Sequence, residues 1–255
     1  MKTAFFGNAV FRSPALFLLL FLSIQACTGL KPLIPLDPAR KADVLEKCRR
    51  PFLPGKYRLV HALETATPDG GRGTAIGVVV ADPRTRHFRT VMMTIEGWVL
   101  FDAEAGERLV IHRAVPPFDK PAFAEGLAED IRLALFAPGG EPTAWGADKG
   151  GAPVCRFERA DSRLVEVMTG GDGVTGIRLY DEGHTLRKSV SASHPNKTGP
   201  AETIEIDSNW PPYTLRLRLL ESEALEDDPG PYPGETLSGA EAGQGNGNGK
   251  GKMIR

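Results

Sequence analysis

Cysteine and histidine are the residues of this chain that could hold a metal, form a disulfide or act as nucleophile and base. The sequence contains three cysteines, Cys27, Cys48 and Cys155, and five histidines. No histidine lies in an H-E-x-x-H arrangement or at metal-ligand spacing from another, and neither a G-x-S-x-G elbow nor a P-loop occurs. We therefore expect no enzyme activity, no catalytic residue, no metal and no cofactor, and interpret the histidines as surface or strand-edge residues.

Residues 1–26 have the pattern of an export signal. Lys2 and Arg12 supply a positively charged start, an apolar run extends from Ala15 to Ile24, and a small residue precedes Cys27. A membrane-spanning helix is the alternative. It needs about 20 apolar residues, and the polar residues before the apolar run leave too few. We predict a signal peptide over this segment.

The residues Ile24-Gln25-Ala26-Cys27 resemble the lipobox of bacterial lipoproteins. The resemblance implies cleavage before Cys27 and attachment of acyl chains such as palmitate through a thioether and an acylated amine. Two or more acyl chains anchor a protein stably, whereas one chain holds it only marginally. Thr28 replaces the aspartate that signals inner-membrane retention in the family, which favours the outer membrane. A plain secretory signal with a chance cysteine is the alternative.

Lipidation of Cys27 accounts for the odd number of cysteines and leaves Cys48 and Cys155 in an oxidising compartment. A bond between these two would close a loop of 107 residues. The chain-entropy model gives about 4–5 kcal/mol of stabilisation for a loop of that size. We predict this disulfide. Two buried free thiols are the alternative, and only geometry distinguishes the two.

The elements that position these residues are mainly β-strands. After residue 55, short segments alternate apolar and polar residues and are separated by turn sequences, as in an antiparallel sheet that is solvated on one face. Tyr213, Leu215, Leu217 and Leu219 give the clearest example. We count about eleven strands, too many for a flat open sheet. We therefore predict a mainly β, α+β fold with an antiparallel, strongly curved half-barrel.

One long helix interrupts the strands. Phe123, Leu127, Ile131 and Leu135 recur every four residues, which is typical of an amphipathic helix. The acidic residues between them, including Asp130, are expected to face away from the sheet. The apolar stripe has to cover the sheet, because a helix of this length needs a partner for its apolar face.

Changes in composition divide the chain into four segments. We predict a signal peptide over residues 1–26, a lipidated, proline-rich tether over 27–38 and a folded domain over 39–222. Residues 223–255, which end in a glycine-rich run, lack the apolar residues needed to offset the entropy of ordering and are predicted to be disordered.

The side chains that could contact a ligand are apolar. Lys and Arg (31) nearly balance Asp and Glu (32), so nothing in the charge favours a nucleic-acid partner. Flexible methionines and aromatic residues suit irregular apolar ligands, although ordinary core packing is the alternative. The candidate lipid-binding residues are Met92, Trp98, Phe101, Phe118, Phe123, Leu127 and Ile131.

The order of elements, through "GWVLFDAE", "FAEGLAEDIRLALF" and "YTLRLRLLE", resembles the LolA/LolB lipoprotein-localisation superfamily. The resemblance implies an incomplete β-barrel closed by helices, with an apolar cavity for acyl chains. Members shuttle or receive lipoproteins or bind related lipids. The protruding hydrophobic loop of the acceptor protein has no clear match in this sequence.

Three functions follow from these observations. The first is a lipid-anchored lipoprotein on the periplasmic face of the outer membrane in the bacterial cell envelope, whose half-barrel binds acyl chains of lipids or lipoproteins. The second is a structural or assembly lipoprotein with a filled barrel and no small ligand. A hydrolase with an unrecognised site is the third and least favoured.

Overall fold

The structure of the chain, a computed structural model, describes residues 29–194 and 199–226. The predicted signal peptide over 1–26, the lipid-attachment residue Cys27 and the predicted tail beyond residue 226 lie outside the described residues. Lipidation of Cys27 therefore stays a prediction.

Two α-helices and twelve β-strands make up the described part of the fold. The helices are α1 (Lys41–Arg49) and α2 (Pro121–Leu135), and a single turn of 3₁₀-helix (Pro38–Arg40) precedes α1. The strands are β1 (Tyr57–Ala66), β2 (Arg72–Asp82), β3 (His87–Met93), β4 (Val99–Ala105), β5 (Leu109–Ala114), β6 (Ala144–Ala147), β7 (Pro153–Glu158), β8 (Leu164–Thr169), β9 (Val174–Tyr180), β10 (Leu186–Ser193), β11 (Thr203–Asn209) and β12 (Pro212–Ala224).

All twelve strands belong to one antiparallel sheet, in the order β5-β4-β3-β2-β1-β12-β11-β10-β9-β8-β7-β6. Strands β1–β5 form one meander of neighbouring hairpins and β6–β12 form another, and the first and last described strands, β1 and β12, pair where the two meanders meet. The sheet is curved and does not close, because β5 and β6 form its two edges. The predicted mainly β half-barrel with one long helix is confirmed.

The structure contains one strand more than the eleven that the sequence pattern predicted, and the additional strand is β6. Its four residues are too few to display an alternation. Beyond β6, Ile34 adds one further bridge, with its backbone N–H donating to Ala147 at 2.8 Å and its carbonyl accepting from Ala147 at 2.9 Å. A Cβ atom on Gly146 would lie 2.6 Å from the Ile34 oxygen, so this approach requires glycine. Part of the segment predicted as a tether, 27–38, therefore pairs with the sheet.

The other boundary of the domain also lies further out than predicted. Strand β12 continues through Ala224, which pairs with Tyr57 of β1, and the backbone N–H of Leu225 donates to the carbonyl of Lys56 at 2.9 Å. The ten residues of β1 provide backbone pairing partners for β12 as far as Glu223 and Ala224. The first two residues of the segment predicted as a tail, 223–255, are therefore strand residues.

Helix α2 lies against the inner face of the sheet. It begins at Pro121, whose fixed φ suits the first helical position, and ends where Phe136 adopts an extended conformation. The residues that it buries include Ala124, Ala128 and Ile131, which lie on one helix face. Within the described residues, no helix combines the length and apolar character that crossing a membrane requires.

Helix α1 packs on strands β6, β7 and β8 and is linked to β7 by a disulfide. Val44 and Cys48 lie one helical turn apart and are fully buried. Cys48 is bonded to Cys155 of β7, with their Cα atoms 6.2 Å apart. This is the pair that the sequence analysis predicted, and it ties the N-terminal helix to a strand 107 residues away.

Replacing both bonded cysteines, in Cys48→Ala/Cys155→Ala, is expected to lower the free energy of unfolding by about 3–5 kcal/mol. The change releases a long loop in the unfolded chain. Urea unfolding measures the change, and thiol alkylation of the denatured wild-type chain without reductant is the control. Alkylation of Cys48 and Cys155 in that control would contradict the bond.

Candidate functional site

A small hollow lies between α2 and the inner face of the sheet, and its volume is about 50 Å³. Its wall comes from α2, from β1, β2 and β3 on one side, and from β11 and β12 on the other. The lining residues are His61, Leu63, Gly77, Val79, Thr90, Met92, Leu127, Asp130, Ile131, Ala134, Leu135, Ile204, Ile206, Leu215 and Leu217. The hollow is thus almost entirely aliphatic.

Strand alternation determines which side chains reach the hollow, since every second residue of a strand points to the inner face. In β1 the inward residues are Leu59, His61 and Leu63, and in β2 they include Gly77 and Val79. Gly77 pairs directly with His61 across the two strands. Gly77 has no side chain, and the Leu63 side chain packs over it: a Cβ atom on Gly77 would lie 3.0 Å from a Leu63 methyl carbon.

His61 is a polar residue in this apolar wall. Its side chain is only 3% exposed, and its Nε2 atom has no hydrogen-bond partner among the described residues. Burial lowers the pKa of His61 from 6.5 to about 4, because the charged form loses its hydration. The imidazole is therefore neutral at pH 7 and lines the hollow with its Nε2 atom buried and unbonded among the described residues.

A buried ionic cluster joins α2 to the sheet beside the hollow. Lys188 of β10 donates to an Asp130 carboxylate oxygen at 2.5 Å, and the Tyr213 hydroxyl of β12 donates to the other oxygen at 2.5 Å. Lys188 also lies 3.2 Å from Glu129, which Arg163 contacts at 2.5 Å. The helix is therefore fixed to the strands on one side of the hollow by charge-assisted hydrogen bonds.

The protonation states in this cluster follow from burial and from opposite charges. Asp130 and Lys188 are 4% and 3% exposed. Burial opposes the charge on Lys188, but the carboxylate of Asp130 outweighs it and raises the pKa of the lysine, which stays charged. Burial raises the pKa of Asp130 despite the opposing charge of Lys188.

An aromatic cluster lies at the N-terminal end of α2. The Phe101 and Phe123 rings meet edge to face with centroids 5.3 Å apart, and Phe118 contacts Phe123 at 5.1 Å. These rings pack with Met92 and with Leu127, both of which line the hollow. The cluster therefore closes this end of the hollow, and its half-buried rings, Phe118 and Phe123, separate the hollow from solvent.

The structure brings six of the seven predicted lipid-binding residues together. Met92, Leu127 and Ile131 line the hollow, and Phe101, Phe118 and Phe123 form the adjoining aromatic cluster.

The prediction that Trp98 lines a cavity is wrong. Its side chain is 71% exposed, because Thr94 and Gly97 form a tight turn that places Trp98 at the tip of the β3–β4 hairpin. Gly97 has a φ of +90°, a value that glycine adopts readily.

Sequence reasoning missed the polar residues of the site. Asp130 was expected to face away from the sheet, and His61 was expected at the surface or at a strand edge. Asp130 is turned inward because Lys188 and Tyr213 offer it partners on the sheet. The signal for His61 was present, since Leu59, His61 and Leu63 share one face of β1.

Elsewhere on the surface, an open depression of about 490 Å³ lies beside the β6–β7 and β8–β9 turns. Its lysine and its arginine are already ion-paired, Lys47 with Asp43 at 2.8 Å and Arg50 with Glu46 at 2.7 Å. No group of three or more histidine, cysteine, aspartate or glutamate side chains within residues 29–194 and 199–226 is arranged to hold a metal ion. Of the two, the hollow beneath α2 is the stronger candidate for an apolar ligand.

No protein-family model and no curated protein matches the sequence. Among solved structures, the fold is similar to that of a LolA superfamily protein from Nitrosomonas europaea, with a TM-score of 0.50 and 11% identity over 73% of this chain and 94% of that chain. It is also similar to a DUF1329 family protein from Desulfovibrio piger, with a TM-score of 0.47 and 8% identity over 76% of this chain and 95% of that chain. The chain thus has a LolA-like fold.

The substitution Lys188→Met is expected to lower the free energy of unfolding by about 3–5 kcal/mol, because it leaves Asp130 buried without its counter-charge. The double variant Asp130→Leu/Lys188→Met is expected to recover more than half of that loss, since it removes both buried charges. Urea unfolding measures each value. Lys47→Met, at an exposed ion pair, is the matched control and should leave stability unchanged. A double variant no more stable than Lys188→Met would contradict the cluster.

Acidification is expected to destabilise the protein through His61. Below pH 6.5 the unfolded chain protonates this residue while the folded chain does not, so stability is lost as the pH falls from 6.5 to about 4. The loss reaches about 3 kcal/mol. His61→Gln cannot titrate and should lack that part of the slope. Equal pH slopes for wild type and His61→Gln in urea unfolding would contradict the buried neutral state.

Proposed function

We propose that this chain is a lipid-anchored protein of the bacterial cell envelope, on the periplasmic face of the outer membrane, that binds acyl chains of lipids or lipoproteins between α2 and the sheet. The observation that carries the proposal is the aliphatic hollow beneath α2 in a LolA-like half-barrel. The resemblance to the LolA/LolB superfamily implies a binding role and not an enzymatic one, and this supports the proposal.

The chemistry of the hollow suits an acyl chain. Twelve of its fifteen lining residues are aliphatic, glycine or methionine, and the other three are His61, Thr90 and Asp130. Each methylene group that such a wall removes from water contributes about 0.8 kcal/mol. A chain of several methylene groups therefore gains enough free energy to compete with contacts between α2 and the sheet.

The size of the hollow requires α2 to move. Ligand pockets usually enclose about 300–1,000 Å³, and the hollow encloses about 50 Å³. In this structure α2 therefore lies too close to the sheet to admit an acyl chain. An entering chain separates α2 from the sheet at the aromatic end, where Phe118 and Phe123 are half-buried, while the Asp130–Lys188 pair holds the other part of the helix.

The anchor places this domain close to the membrane. Cys27 lies seven residues before Ile34, which already pairs with the sheet. A fully extended segment of that length spans at most about 25 Å. An acyl chain released from the hollow therefore has the membrane surface within reach, as a protein that transfers or receives lipid requires.

The second candidate, an assembly lipoprotein without a small ligand, is favoured by the small volume of the hollow and by an exposed apolar rim. Ile95, Trp98 and Trp210 are 75%, 71% and 73% exposed. The β3–β4 and β11–β12 turns, which carry them, lie at the same end of the strands, because β3 and β11 run in the same direction. In that case the rim contacts a partner protein and the interior stays filled.

Substitution Ala134→Leu tests acyl binding, because Ala134 lies on α2 and lines the hollow. The larger side chain displaces about two methylene groups of a ligand, which corresponds to about a tenfold loss of affinity. Solvent extraction of the purified full chain, followed by mass spectrometry, measures bound lipid. Acyl chains bonded to Cys27 stay with the protein, so the extract contains only lipid that is held noncovalently.

The control is Ala122→Leu, the same substitution on the exposed face of the same helix. It should keep the lipid content of the wild type. The absence of lipid from the wild-type extract would favour the assembly lipoprotein instead. So would equal lipid content in wild type and Ala134→Leu.

A further inference from the structure

The unpaired Nε2 atom of His61 identifies a polar point in the wall of the hollow. Buried polar atoms in native proteins almost always have a partner, and an unpaired one lowers stability. If His61 served only to fill the core, a leucine at this position would fill the same space without leaving a polar atom unpaired. His61 is only 3% exposed and lines the hollow beneath α2, and its Nε2 atom is buried without a partner among the described residues.

The charges around the hollow restrict what can approach this nitrogen. No lysine or arginine of the described residues lines the hollow, and Lys188 is held by Asp130 at 2.5 Å. The carboxylate of Asp130 does line it. A ligand carboxylate or phosphate would thus lose its hydration next to a negative charge, with no free cation to compensate. A neutral polar group meets no such penalty.

We propose that His61 orients the ligand: its Nε2 atom forms a hydrogen bond with a neutral polar group of a single-chain amphiphile whose apolar chain lies beneath α2. The ligand class is an acyl or alkyl lipid bearing a hydroxyl, ester or amide at the buried position. The inference rests on the proposed function and specifies its ligand.

The state of the imidazole suits either kind of bond. Burial keeps His61 neutral, with a pKa of about 4, so its Nε2 atom is an acceptor in one tautomer and a donor in the other. As an acceptor it receives a hydrogen bond from a hydroxyl group, and as a donor it gives one to the carbonyl oxygen of an ester or amide. Both bonds leave the ligand and the protein uncharged in the interior.

The test compares 1-decanol with 1-chlorodecane, which share a chain length and differ in the polar group. Each is titrated against the full chain carrying the fluorescent probe 1-aminoanthracene. Wild type is expected to bind 1-decanol about fivefold more tightly than 1-chlorodecane, the value of one hydrogen bond. His61→Leu should bind the two equally, and His61→Gln, which keeps a neutral polar group, should retain the preference.

A measurement on the wild type does not depend on how the variants fold. With ¹⁵N-labelled histidine, the ring nitrogens of His61, assigned by their loss in His61→Gln, should shift with 1-decanol and stay in place with 1-chlorodecane. Both ligands binding without preference, or an unchanged preference in His61→Leu, would overturn the role of His61 and leave acyl binding intact. Displacement of the probe by neither ligand would overturn the proposed function itself.

Discussion

The inner face of an open sheet has to be kept from water, and this constraint governs the whole domain. Twelve strands present an apolar face, and a sheet that does not close cannot bury that face by itself. Helix α2 covers one part of it and α1 covers another. A straight helix cannot contact a strongly curved sheet along its whole length, and the hollow lies where α2 and the sheet do not meet.

Buried polar contacts, in addition to apolar packing, fix the position of α2 on the sheet. Asp130 and Glu129 face Lys188, and Tyr213 completes the bonds of Asp130. Buried ion pairs add little net stability, but a partner left unpaired is costly, so such pairs define one position of the helix. Towards its C-terminal end, the backbone N–H of Leu53 donates to the carbonyl of Leu135 at 3.1 Å. The N-terminal end is held by apolar packing, of Phe118, Phe123 and the buried Ala124, and in the proposed function this is the end that opens.

The sequence predicted what periodicity encodes and missed what tertiary contacts decide. Alternation identified eleven strands and a four-residue repeat identified α2, because each pattern follows from backbone geometry. Strand β6, with four residues, is too short to show such a pattern. The same limit applies to the site: apolar residues such as Leu127 and Ile131 could be placed, whereas Asp130 is inward only because of a lysine 58 positions later. Trp98 was misplaced because hydrophobicity does not distinguish a hairpin tip from a core strand.

The proposed binding of acyl chains depends on the opening of α2. Spin labels at Ala122 on α2 and at Glu64 on β1, both exposed, allow the distance between helix and sheet to be measured by double electron–electron resonance in the full chain. Addition of 1-decanol should shift the distance distribution to longer values, since the hollow of about 50 Å³ has to enlarge. An unchanged distribution at saturating 1-decanol would mean that the interior stays closed and that this protein does not hold acyl chains beneath α2.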